Sequence, residues 1–177
     1  MKLYVARHGE TAWNNAYLVC GSTDLPLTEK GMEQAQALAE LVKGKGIQAI
    51  VASPMIRAMQ TAQPAAQALN LPVETEPALR EQDYGIYEGK RRDDPGFLAN
   101  KRQFALRYPG GESHLDLACR VYNGLGRIRE RYPDGTVLIV CHGAVCRTIR
   151  SFFVGMTNDE YFSYSPENAS LEEYEWK

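Results

Sequence analysis

The 177-residue chain lacks any apolar run approaching the roughly 20 residues that a bilayer-spanning helix needs. Its start passes from Met1-Lys2 straight into a strand-like stretch without a signal-peptide pattern, so no secretory leader is expected. Cysteine is scarce: the four, at 20, 119, 141 and 146, are too few and too scattered to staple a fold, and a reducing cytoplasm is the expected compartment. Net charge is only −2, so nothing global attracts nucleic acid or an anionic membrane, and neither is an expected partner. Repeats and low-complexity linkers are absent. What remains, 44% hydrophobic and 24% charged, is the balance of one globular domain over 1–177, long enough to bury a core.

The apolar pattern predicts alternating strands and helices. Strands are expected at 2–6, 47–53, 72–75 and 136–142, with an edge strand at 170–176. Thr28 reads as the N-cap of a helix with the stripe Met32, Ala35, Leu38, Ala39, Val42 and a stop at Gly44. Ser53 reads as the cap of a second helix with Pro54 in its first turn, and Pro64 predicts a kink or break there. Residues 77–112 read as loop-rich, with a helix near 96–107 and a small cap region around 84–112. Ser113 should cap a long helix to about Arg131, and 144–155 should be helical. The fold class that follows is α/β, three-layer α/β/α, with a largely parallel central sheet. Such sheets place their sites beyond the C-terminal strand ends.

The chain has only three histidines, and two of them, His8 and His142, end predicted strands and precede glycine. If both strands are central in one parallel sheet, the two imidazoles emerge at one edge. Glycine after each permits a sharp turn and close approach of another group. Arg7 precedes His8, and Arg57 sits one turn into the helix after another strand. Arginines and exposed helix N-termini form an oxyanion pocket that suits phosphate. A neutral histidine there can attack phosphorus, and neighbouring arginines keep it neutral. Glu81, in "ALREQDYGIYEGKR", is the candidate proton donor to the leaving group.

Read together, the blocks "RHGETAWN", "DLPLTEKG", "SPMIRAMQTA", "LREQDYGIYEG", "PGGES" and "VCHGAV" resemble the histidine phosphatase superfamily, of phosphoglycerate-mutase-like fold, in order and over nearly the whole chain. The resemblance implies that His8 is the phosphorylated nucleophile and that Arg7, Arg57 and His142 clamp the phosphoryl oxygens. It implies neutral hydrogen bonds from Thr11, Asn14, Ser22, Thr23 and the Gly143 amide, with Tyr84 also at the substrate. Glu81 would serve as acid and then base. No metal and no cofactor are implied; the expected partner is a small phosphorylated metabolite.

Departures from the family pattern fall at Leu18, where arginine is frequent and a substrate-contacting cation is therefore lost, and at Cys20 and Tyr87. His114 reads as a surface residue at a helix N-terminus. Glu81 is followed by Gln82-Asp83 where the family's mutases carry Arg-His, and sixty residues separate Glu81 from His142, far fewer than in those mutases. A phosphatase is therefore favoured over a mutase, with a binding module lacking turnover as a third reading. A rival lies in "CHGAVCRT", which fits the cysteine-phosphatase loop, with Asp94-Pro95 mimicking that family's general acid. The basic run 90–107 reads as a solvated face or as a rim for an anionic substrate, with Arg91, Arg92, Lys101 and Arg102 as its cations. For 155–168, with Tyr161, Phe162 and Tyr164, packing on the domain and a homodimer interface are both open.

Overall fold

The computed structural model describes residues 1–176. Five strands, β1 (Lys2–Arg7), β2 (Ala49–Ala52), β3 (Val73–Thr75), β4 (Thr136–Cys141) and β5 (Leu171–Glu175), form one sheet in the order β3-β2-β4-β1-β5. β1, β2, β3 and β4 run parallel and β5 pairs antiparallel with β1 at the edge. The helices are α1 (Ala12–Asn15), α2 (Glu29–Val42), α3 (Ile56–Leu69), α4 (Pro95–Lys101), α5 (His114–Arg131), α6 (Gly143–Phe153) and α7 (Asn158–Ser163).

The central strands are apolar on both faces because helices cover both. Leu3, Val5, Val137, Ile139 and Cys141 point into a core with Leu117, Val121, Leu125 and Ile128 of α5 and Val145 and Ile149 of α6. Tyr4, Ala6, Leu138 and Val140, one residue out of phase, meet α2 and α3. The alanines of α3 (58, 62, 65 and 66) let that helix lie close on the sheet. The helices that follow β1 and β4 thus leave on opposite faces, which opens a crevice at the C-terminal ends of these two neighbours. A third, smaller cluster of Val19, Phe97 and Tyr108, with Tyr84 and Tyr87 against it, roofs that crevice. No helix among the described residues is long and apolar enough to cross a membrane.

Several expected boundaries move. α3 begins at Ile56 behind Met55, and Ser53, buried in the site, does not cap it. α3 also runs through Pro64 unbroken, its buried face held by the sheet. Met32 is 40% exposed, and Gly31 takes the buried position on α2. α4 stops at Lys101, not 107, because Phe104 turns in against His114, Tyr161 and Phe162. His114 itself is buried (2% exposed), with Nε2 at 2.9 Å from the Lys101 carbonyl. Its surface reading is thereby corrected: rings from the 102–112 loop and from α7 enclose it.

Candidate active site

Arg7 and Cys141 are ladder partners in the β1–β4 pairing, so the next residue of each strand, His8 and His142, leaves the sheet alongside the other. Their rings lie 5.1 Å apart. Gly9 follows because nothing larger fits: a Cβ there would sit 2.4 Å from the Gly31 carbonyl oxygen. The Gly9 carbonyl, able only to accept, lies 2.6 Å from His8 Nδ1. Nδ1 therefore carries the proton and Nε2 keeps its lone pair. Burial, then the Arg57 charge, then that of Arg7, hold the His8 pKa well below its ordinary value. The ring is held neutral, with a fixed tautomer. Asn168, before β5, donates to the His8 carbonyl at 2.8 Å and steadies the backbone there.

His142 is the N-cap residue of α6. Arg57 donates from Nε to its Nδ1 at 3.1 Å, and Ser53 Oγ lies 2.7 Å from its Nε2. Arginine cannot accept, so Nε2 bears the proton and Ser53 accepts it. Burial, Arg57 and His8 keep the His142 pKa well below the ordinary value. Arg57, fully buried, also donates from its Nη atoms to the carbonyls of Thr23 and Gly21 at 2.9 and 2.7 Å. It is a brace that ties the 21–23 loop to His142.

Glu81 comes from the loop after the 3₁₀ turn Pro77–Leu79. Its carboxylate accepts from its neighbour's amide, Gln82 N, at 2.9 Å and from Ala144 N, in the first turn of α6, at 3.2 Å. Arg120 of α5 anchors this loop by donating to the carbonyls of Ala78, Arg80 and Glu81, while pairing with Glu112 at 2.7 Å. Arg7 donates to the Pro166 carbonyl at 2.7 Å and keeps a buried Nε with no partner. The N-terminus of α6 adds its partial positive charge.

One cavity of about 100 Å³ collects these groups; Arg7, His8, Asn14, Glu81, Tyr84 and Gly143 all line it. Burial and the Glu81 charge push the Tyr84 hydroxyl well above its ordinary pKa, so it remains a proton-bearing donor. Other expected contacts are used elsewhere. Thr11 is the buried N-cap of α1, with Asn14 closing the capping box. Ser22 bonds Asp83, and the amides of Ser22 and Thr23 donate to Glu88. His142 and Arg57 do not line the cavity.

Arg92, Lys101 and Arg147 line it too. Arg147 escaped the sequence reading, although a cation amid the apolar residues of "GAVCRTIR" is a signal. Arg91 and Arg102 face outward: Arg91 pairs with Asp93, and Arg102 is exposed at the end of α4.

The cysteine-phosphatase reading is overturned. Cys141 ends β4 inside the core, 0% exposed, with its sulfur 3.5 Å from that of Cys146. Burial pushes its thiol well above the ordinary pKa, the reverse of what a nucleophilic thiolate requires. Asp94 caps α4 by accepting from Phe97 N.

Comparisons with other proteins agree with this geometry. The family profile described as histidine phosphatase superfamily (branch 1) matches residues 3–177. A protein of Yersinia pestis named "Probable phosphoglycerate mutase GpmB" is 34% identical over 163 residues, covering 88% of this chain and 76% of that one. Among solved structures, a mycobacterial glucosyl-3-phosphoglycerate phosphatase superposes with a TM-score of 0.86 at 26% identity, covering 97% of this chain and 88% of the other. An α-ribazole phosphatase from Shigella flexneri gives 0.84 at 27% identity, covering 98% and 89%. Sequence, fold and comparisons converge: the chain belongs to the histidine phosphatase superfamily, branch 1.

Proposed function

We propose that the protein is a phosphomonoester hydrolase that works through a phosphohistidine on a small phosphorylated metabolite, without a metal. The observation that carries this reading is His8: Nδ1 is anchored on a carbonyl and Nε2 is left with its lone pair in a cavity shared with Arg7 and Glu81. In the first step Nε2 attacks phosphorus and the ester P–O bond breaks. Glu81, entering this step as the carboxylic acid, gives its proton to the departing alkoxide and becomes the carboxylate that serves the second step. In the second, Glu81 takes a proton from water as the water oxygen attacks phosphorus. The N–P bond breaks, releasing inorganic phosphate and neutral His8. Arg7 and the α6 N-terminus stabilise the equatorial oxygens in both steps, the charge neutralisation that phosphoryl transfer chiefly needs.

Hydrolysis is favoured over mutase transfer by the short segment between Glu81 and His142, which leaves little to shield an intermediate from water. The experiment is phosphate release from a panel of phosphomonoesters, with chelator present, for wild type and His8→Ala. Turnover confined to wild type, with an acid-labile phosphoenzyme trapped on rapid quench, supports the reading. Efficient conversion of 3-phosphoglycerate to 2-phosphoglycerate with a bisphosphate primer would instead establish the mutase.

A further inference from the structure

We propose that Glu88 is a positioning residue of the active site: its carboxylate shapes the 21–23 loop and, through that loop and Arg57, fixes the ring of His142. This deepens the hydrolase reading above and rests on it for the catalytic consequence alone.

Glu88 closes the 3₁₀ turn Gly85–Tyr87, and its backbone amide donates to the Gly85 carbonyl at 3.1 Å. Its side chain turns to a different loop. Oε2 accepts from the amides of Gly21 and Thr23 at 3.1 and 3.3 Å. Oε1 accepts from the amides of Ser22 and Tyr84 at 2.9 and 3.3 Å. Successive amides aimed at one point form an anion-binding nest. Here the anion that fills the nest is the chain's own carboxylate. Gly21 makes room for it: a Cβ there would lie 2.3 Å from Glu88 Oε1 and 2.2 Å from the Gln82 carbonyl oxygen. Neither Glu88 nor residues 21–23 line the cavity of His8, so any effect of Glu88 on the reaction passes through other groups.

The carbonyls of the same loop face Arg57. The Gly21–Ser22 peptide makes both contacts at once: its carbonyl accepts from Arg57 Nη2 at 2.7 Å, and its N–H donates to Glu88 at 2.9 Å. A peptide dipole of about 3.5 D is thus aligned between a cation and an anion. Arg57 is fully buried, and its further acceptors, the Thr23 carbonyl and the neutral His142 ring, carry no charge. Half-exposed Asp24 approaches it to 3.9 Å. Glu88 answers the rest of that buried charge through the peptide, and a buried cation is costly without such partners.

The two carbonyls hold the guanidinium in one orientation, with Nε on His142 Nδ1 at 3.1 Å, and this leaves the His142 Nε2 proton for Ser53. One carboxylate thereby sets the tautomer of a ring that lies 5.1 Å from His8 and caps α6, whose N-terminus serves the phosphoryl oxygens in the reading above. The same carboxylate holds the main chain of Tyr84, which lines the cavity with Glu81. Without Glu88 the nest loses its anion, the loop carbonyls lose their fixed places, and Arg57 and His142 are released together.

The test is Glu88→Gln in the full-length protein, which removes the charge at nearly constant shape. Steady-state hydrolysis of para-nitrophenyl phosphate should show kcat lowered by about tenfold or more and KM within about threefold of wild type, because positioning is lost while substrate contacts are kept. Imidazole nitrogen NMR at pH 7 supplies a readout that a loss of stability alone would not move. The chain has only three histidines, so His8→Ala and His114→Gln assign all the ring signals. His142 should be a single Nε2–H tautomer in wild type and a mixture of tautomers in Glu88→Gln. Glu88→Asp, which keeps the charge but withdraws it by one methylene, should move both readouts in the same direction and covers the case in which the glutamine variant does not fold. Unchanged kcat, or an unchanged His142 signal, in a folded variant overturns the proposal. Failure of the hydrolase reading would show separately, as absence of wild-type turnover, and the His142 tautomer would then still decide whether Glu88 fixes that ring.

Discussion

Replacing His114 by glutamine should make the fold markedly less sensitive to mild acid. The ring lies in a cage of Phe104, Tyr108, Tyr161 and Phe162, with Nε2–H donating to the Lys101 carbonyl. Nδ1 is buried without a partner, so protonation would create an unpaired charge. Burial lowers the pKa from 6.5 to about 4, with the Arg147 and Lys101 charges adding to it, against the raising effect of the Lys101 carbonyl. The folded value is depressed, so the unfolded chain binds the extra proton. The stability contribution is present above pH 6.5 and is lost as pH falls toward 4. Integrated from pH 7 to pH 5, the loss is about 2 kcal/mol for this one residue. Glutamine keeps a donor for the Lys101 carbonyl and does not titrate. Urea unfolding of both proteins at pH 7 and pH 5, followed by helical circular dichroism, reads the difference of differences. Wild type should lose about 2 kcal/mol more than the variant over that interval. Equal losses within about 0.5 kcal/mol would refute the claim that His114 is buried neutral.

Three further outcomes follow from the same geometry. Because burial and the Arg57 and Arg7 charges hold His8 well below its ordinary pKa, no loss of kcat/KM attributable to protonation near pH 6.5 should occur as pH falls from 7 to 5.5; a protonation step centred near 6.5 in stopped aryl phosphate assays would contradict it. Arg120→Met removes the brace on three carbonyls of the Glu81 loop, and should lower kcat on substrates with poor leaving groups by about tenfold or more while sparing aryl phosphates, which need little help from an acid. Cys141→Ala should cost about 1–2 kcal/mol in urea unfolding, by deletion of a core atom, and leave turnover in place; abolished turnover in a folded variant would restore the thiol to candidacy.

The sequence showed where the two strand-end histidines lie more clearly than the shape around them. His8 and His142 were legible because a polar residue at the end of an apolar strand, followed by glycine, is a local pattern. Thr28 and Ser113 were legible as caps for the same reason, since each side chain accepts from an amide three residues on. His114 and the end of α4 were not, because the rings that enclose His114 come from residues 104, 108, 161 and 162, which are brought together only by the fold. Pro64 misled because a helix packed on a sheet tolerates a lost hydrogen bond that an isolated helix would not. Ser53 looked like a cap and became a partner of His142, a contact across 89 residues that no local pattern carries. The basic run 90–107 could not be sorted into inward Arg92 and Lys101 and outward Arg91 and Arg102 without the loop path.

The pairing of β1 with β4 also sets where this chain can change. His8 and His142 are neighbours because two main chains are in register, so the setting of both rings is encoded in backbone hydrogen bonds. Losing a single residue from β4 would turn every following side chain of that strand to the opposite face and uncouple the pair. Residues gained or lost between 102 and 112 lie outside the ladder and would leave the pair where it is. Arg92 and Lys101 sit on that adjustable side, whereas His8 and Glu81 are held by the sheet and by α5 and α6. Mutational drift can therefore remodel the basic side of the cavity while the paired histidines stay fixed.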